Sequence, residues 1–195
     1  MQSPKAGQHK EDLELITNYD LTAAAHGVLG GIQLDPASSA VAQEHVEAEE
    51  FFTPSDDGLN EQQWFGRVYL FPPAGAYFWN KKEDRWKKTR ASSPTLVSSH
   101  AVWFRKLLRS WMAGEVEQGL YMGNCPDMIR YEQRIFDFPI CILKTAPTLV
   151  KNSSQGLSTH KTCTTLLVYL PPKHEADEAV SRFVDIYEEK GRILV

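Results

Sequence analysis

The chain has 195 residues, of which 42% are hydrophobic and 24% charged, and its formal net charge is −4. That length and composition suit one globular domain, residues 1–195, with a sizeable core, and they exclude wholesale disorder. The negative balance excludes a protein that grips nucleic acid over its whole surface, so any such contact must come from a local basic patch.

No apolar run approaches the roughly 20 residues needed to span a bilayer. Residues 1–10 are polar and carry no apolar signal core, so a cytoplasmic location and no membrane partner are expected, with residues 1–12 as a flexible tail. Cys125, Cys141 and Cys163 are odd in number and far apart, without the close Cys or His pairs of finger-type zinc sites. They read as reduced thiols, and no metal is expected.

In chain order, residues 21–29 are Ala-rich and helical, and Gly30-Gly31 stops them. A short strand over 32–34 ends at Asp35-Pro36. Ser38 or Ser39 then caps a helix running to about Glu49. Residues 53–58 form a dense turn signal. Arg67-Val68-Tyr69-Leu70-Phe71 is a nearly continuous apolar run cut off by Pro72-Pro73, as in a strand buried on both faces. Residues 81–97 are polar and read as a loop. Phe104, Leu107, Leu108 and Trp111 form the core-facing stripe of a helix over 98–113. A strand over 120–122, a short helix over 126–134 and a strand over 139–143 follow. Residues 151–160 read as a flexible loop and 163–170 as a strong strand. Val180, Phe183, Val184 and Tyr187 give one side of a helix over 175–190, with Gly191 as its left-handed C-cap and 192–195 as a last strand. Strands alternating with helices predict an α/β sandwich with a largely parallel sheet.

Three segments lie close together in order: Leu34-Asp35-Pro36-Ala37-Ser38, then Asp56-Asp57-Gly58-Leu59, then Trp64-x-Gly66-Arg67-Val68-Tyr69-Leu70-Phe71-Pro72-Pro73. An acidic residue ending a strand before a helix sits where open α/β sheets bind ligands. Taken alone, Asp35 reads as a helix N-terminal carboxylate or cap, and Asp56 and Asp57 as turn residues. The order and spacing of the three segments strongly resemble the phage-type (Dam-type) DNA adenine-N6 methyltransferases, over about residues 31–195. The resemblance implies a Rossmann-like fold, S-adenosylmethionine as methyl donor and duplex DNA as partner. It also implies that Asp35, Pro36, Ser38, Asp56 and Asp57 belong to the cofactor pocket.

The family's catalytic tetrapeptide is Asn or Asp, Pro, Pro, then an aromatic residue. In it, the first side chain and the first Pro carbonyl accept the two N6 hydrogens of adenine, and the aromatic residue stacks on the flipped base. Here the tetrapeptide is Phe71-Pro72-Pro73-Ala74, which retains one acceptor of two and no ring at the fourth position, although Tyr77 or Phe78 lies close enough in sequence to offer one. Where relatives carry Thr-Asp-Thr and Trp-Phe, this chain has Pro126-Asp127-Met128 and Arg130-Tyr131. Where they carry Arg-Gly-Arg, it has Lys144-Thr145-Ala146-Pro147. The expectation is a family member with impaired methyl transfer. The alternatives are a non-catalytic DNA- or cofactor-binding pseudoenzyme, or a scaffold or regulatory protein that keeps only the fold.

The basic cluster Lys81, Lys82, Arg85, Trp86, Lys87, Lys88 and Arg90, which contains Glu83 and Asp84, reads either as a solvated charged loop or as a grip on DNA phosphates with an aromatic for stacking. Arg105, Lys106 and Arg109 read as the wet face of their helix. The six histidines are scattered and none joins a nucleophile motif.

Overall fold

The computed structural model describes residues 14–16, 19–89, 96–152, 158–161 and 164–195. The expected tail, Arg90 and Cys163 lie outside them. In chain order the elements are β1 (Glu14–Ile16), α1 (Tyr19–Leu29), β2 (Leu34–Asp35), α2 (Ala40–Val46), β3 (Glu50–Phe51), β4 (Gly66–Leu70), β5 (Ala76–Asn80), β6 (Arg85–Thr89) and β7 (Val97–Ser98). There follow α3 (Ser99–Ala113), β8 (Val116–Asn124), α4 (Cys125–Tyr131), a 3-10 turn (Gln133–Asp137), β9 (Ile140–Leu143), β10 (Thr148–Asn152), β11 (Ser158–Lys161), β12 (Thr165–Leu170), α5 (Ala176–Tyr187) and β13 (Gly191–Leu194).

Seven strands form the main sheet in the order β13-β9-β12-β8-β4-β2-β3. The β3, β2, β4 and β8 strands are mutually parallel. β12 runs against β8, β9 runs against β12, and β13 runs against β9. The sheet is therefore mixed, with five strands in one direction and two in the other. The sheet is largely parallel in strand direction, as expected, but its parallel pairings all lie on one side of β8. A fully buried strand such as β12, Thr-Leu-Leu-Val-Tyr-Leu, has the same continuous apolar pattern in either direction, so its sequence does not encode its polarity.

Alternate residues of the central strands feed two cores. Val68, Leu70, Tyr121, Val168 and Leu170 pack with Val102, Phe104, Leu107 and Leu108 of α3. Tyr69, Leu120, Met122, Leu167 and Tyr169 pack with Ala25, Val28 and Leu29 of α1 and Phe183 and Tyr187 of α5. The sandwich thus has helices on both faces. No helix of the described residues is long and apolar enough to cross a membrane.

Four local expectations are corrected. Of the loop expected over 81–97, the described part is strand and turn: β5 and β6 form an antiparallel hairpin turning at 81–84, and β7 pairs with β5. Residues 151–160 are partly strand, since β10 pairs with both β1 and β11. The helix begun at Ser39 stops at Val46, where Glu47 turns left-handed at φ 52° and donates its amide to the Gln43 carbonyl. Gly191 is not a left-handed cap. It opens β13, and a Cβ there would strike Cys141 Sγ and lie 2.5 Å from the Ile142 carbonyl oxygen.

Candidate functional site

The chain leaves β2 through α2 to reach β3 on one side, then returns past β2 to β4 on the other. The direction of progress across the sheet reverses between β2 and β4. A crevice at the carboxyl ends of the strands is the consequence of such a reversal, because the connections diverge there. A cavity of about 1080 Å³ occupies this position, at the upper end of small-molecule sites.

Asp35, Pro36 and Ser38 border it from the end of β2. Asp35 is 4% exposed. Its carboxylate accepts from the Ala37 amide at 3.2 Å and from Gln43 Nε2 at 3.1 Å. The same Gln43 amide donates to Ser38 Oγ at 2.7 Å, while Gln43 Oε1 accepts from the Ala48 amide at 2.8 Å. Gln43 therefore fixes both polar residues of the first segment. Ser39 is the N-cap, accepting from the Ala42 amide at 3.1 Å, which leaves Ser38 to the wall.

The second segment reaches the cavity through Asp57 and Gly58. A Cβ at Gly58 would strike the Pro36 carbonyl, so only glycine lets this loop lie against the end of β2. The Gly58 carbonyl accepts from Trp64 Nε1 and from Lys106 Nζ, each at 2.8 Å. Lys106 also donates to the carbonyls of Leu59 and Gln62 at 2.9 and 2.6 Å, and burial lowers its pKa to about 8. It is a loop anchor and not the free wet-face cation expected of it. Asp56 does not border the cavity. Its carboxylate accepts from the Thr53 hydroxyl at 2.7 Å and the Thr53 amide at 2.8 Å, which hold it below the usual carboxylate range.

All four tetrapeptide residues, Phe71, Pro72, Pro73 and Ala74, line the cavity together with Tyr77. Tyr77 is buried and its hydroxyl accepts from Trp103 Nε1 at 3.4 Å, whereas Phe78 faces outward at 36% exposure.

The hairpin covers the cavity with Arg85, Trp86, Lys87 and Lys88, while Lys81 and Lys82 stand exposed at its turn and off the wall. Arg85 pairs with Asp57 and with Glu61, the latter at 3.1 Å, and Lys87 pairs with Glu83. Asn60 docks the hairpin through its main chain: its Oδ1 accepts from the Trp86 amide at 2.8 Å and its Nδ2 donates to the Trp86 carbonyl at 3.1 Å. Two of the cations expected to meet phosphate thus hold the hairpin or its turn in place.

Beyond the tetrapeptide the wall continues through His100, Trp103, Gly123, Asn124 and Thr165, which no motif had singled out. His100 Nδ1 and Tyr121 Oη form a 2.8 Å hydrogen bond, and burial pushes the imidazole pKa down to about 4 against a weaker upward pull from Asp127. The imidazole is neutral at pH 7. Gln43, Asn60, His100 and Asn124 were invisible because each acquires its place by tertiary contact. The only local hint was that Asn60 follows Gly58-Leu59 directly. Cys125 and Cys141 are both buried. Among the described residues no group of three His, Cys, Asp or Glu side chains is arranged to hold a metal ion.

Comparison of the chain with protein-family models, with curated proteins and with solved structures finds no match.

Proposed function

We propose that this chain is a Rossmann-like relative of the phage-type DNA adenine-N6 methyltransferases whose cavity takes S-adenosylmethionine and a DNA adenine, with methyl transfer strongly impaired or lost. One observation carries the reading. Three short segments separated in sequence, Leu34–Ser38, Asp57–Gly58 and Phe71–Ala74, border a single cavity at the reversal point of the sheet.

The residues present fit the cofactor. Asp35 borders the cavity from the end of β2, where the Ala37 amide and Gln43 Nε2 fix its carboxylate, and its negative charge suits an ammonium group. Apolar wall is supplied by Pro36, Val46 and Phe52. When bound, S-adenosylmethionine supplies an electrophilic methyl group on sulfur. The protein's part is to hold the base and draw electron density onto its exocyclic nitrogen. Phe71 has no acceptor for an N6 hydrogen and Ala74 no ring, so of the family's constellation only the Pro72 carbonyl remains. Losing one preorganised partner typically costs about 10²–10³ in rate. The ion pairs of Arg85 and Lys87 favour a second reading, a module that holds the cofactor and binds DNA weakly, because they draw cationic charge away from phosphates.

Calorimetric titration with S-adenosylmethionine tests the proposal. The unaltered chain should bind, and Asp35→Ala should bind at least roughly tenfold more weakly, the size of one charge-assisted hydrogen bond. Absence of binding by the unaltered chain would remove both the enzyme and the cofactor-module readings and leave the scaffold.

A further inference from the structure

β4 and β8 are parallel neighbours with Leu70 opposite Tyr121, so Pro72-Pro73 follow the end of β4 where Gly123-Asn124 finish β8. Both pairs border the cavity. Asn124 is also the residue before α4, a position where Asn commonly caps a helix, yet its side chain makes no capping hydrogen bond. Its Oδ1 is shielded from solvent and has no hydrogen-bond partner. A buried acceptor without a donor is costly and rare in folded proteins, and in a residue that borders a cavity it points to a donor from outside the chain. Among the described residues, two nearby polar pairs are already closed: Tyr121 Oη and His100 Nδ1 satisfy each other at 2.8 Å, and Trp103 Nε1 donates to Tyr77.

We propose that Asn124 is the side-chain acceptor for an exocyclic amino group of a purine in this cavity, replacing from the neighbouring strand the acceptor that position 71 lacks. The inference rests on the reading of the cavity as a base site. A carboxamide turns easily about its broad χ2 well, and such a turn would present an acceptor to the cavity that Pro72 also borders. Pro72, Tyr77, Trp103 and a neutral His100 on the same cavity wall offer apolar and aromatic surface suited to a planar base.

The test compares two short oligothymidines, one with a central 2′-deoxyadenosine and one with a central purine deoxyriboside, which lacks only the amino group. Binding is measured in the presence of S-adenosylhomocysteine, whose own heat of binding is recorded first. The unaltered chain should prefer the adenine oligonucleotide by roughly two- to tenfold, the size of one neutral hydrogen bond. Asn124→Ala should lose that preference and Asn124→Asp, which retains an acceptor, should keep it. Because the free protein gives Oδ1 no partner, Asn124→Ala should melt no lower than the unaltered chain. Equal binding of the two oligonucleotides by the unaltered chain, an unchanged preference in Asn124→Ala, or a clear fall in its melting temperature would overturn the inference. If these failures occur while S-adenosylhomocysteine still binds, the cofactor reading stands and only the role of Asn124 falls. Failure to bind either oligonucleotide removes the base site and this inference with it.

Discussion

Single residues carry the clearest pH signature. His100 has its pKa lowered from 6.5 to about 4 by burial. Between these values the unfolded chain binds a proton that the folded chain refuses, so stability is complete above pH 6.5 and falls as the pH drops toward 4. The loss should be on the order of 1–3 kcal/mol. Thermal melts from pH 7 to 4 should show it, and His100→Gln should flatten the slope; an equally steep slope in the variant would assign the loss elsewhere. Glu132 acts in a lower window. Burial raises its pKa, but hydrogen bonds from Arg134 at 2.6 Å and Arg105 at 2.7 Å outweigh this and hold it below 4.5, so its contribution disappears only on further acidification. At this scale the motif residues Asp35, Asp57 and Pro72 were legible, since a strand ending in Asp-Pro or Pro-Pro announces where the sheet stops. Asn124 and His100 were not, because their role depends on which strand lies beside which.

Among the elements, the β5–β6 hairpin was hidden by its own chemistry. Arg85-Trp86-Lys87-Lys88-Thr89 has no alternation of apolar and polar residues, which is the usual mark of a half-buried strand. Its charged side chains are accommodated by acids contributed from elsewhere, Asp57 and Glu61 to Arg85, a pairing across more than twenty residues that no local pattern reveals. The hairpin's attachment is correspondingly specific. Asn60→Ala should remove both hydrogen bonds to the Trp86 main chain and cost about 1–3 kcal/mol. Hydrogen exchange should rise selectively at the Trp86 amide and its β6 neighbours while β8 and β12 stay protected. A uniform rise across the molecule would mean that Asn60 supports the fold as a whole and not the hairpin. The long helices α3 and α5, by contrast, were legible from their stripes, because apolar residues at helical spacing leave few other ways to bury them.

At the scale of the whole molecule, one seven-stranded sheet is shared by two cores. Phe104 beneath one face and Phe183 beneath the other are both fully buried. Phe104→Ala and Phe183→Ala should each cost about 3–5 kcal/mol. Because the two sites share no partner, the double variant should come close to the sum. Denaturant melts should retain a single transition in each single variant; two separated transitions would show that the faces unfold independently. The α/β architecture was visible from alternating strands and helices, but the reversed β12 and β13 were not. The site itself belongs to this scale, because the reversal between β2 and β4 gathers distant segments into one cavity. The proposed methyltransferase-like site, with Phe71 and Ala74 at the positions proposed to correspond to an acceptor and a ring, is tested most directly by incorporation of labelled methyl groups from S-adenosylmethionine into adenine of duplex DNA. The unaltered chain should remain near background, and Phe71→Asn combined with Ala74→Tyr should rise above it by more than the two single changes together. Robust adenine methylation by the unaltered chain would contradict the account.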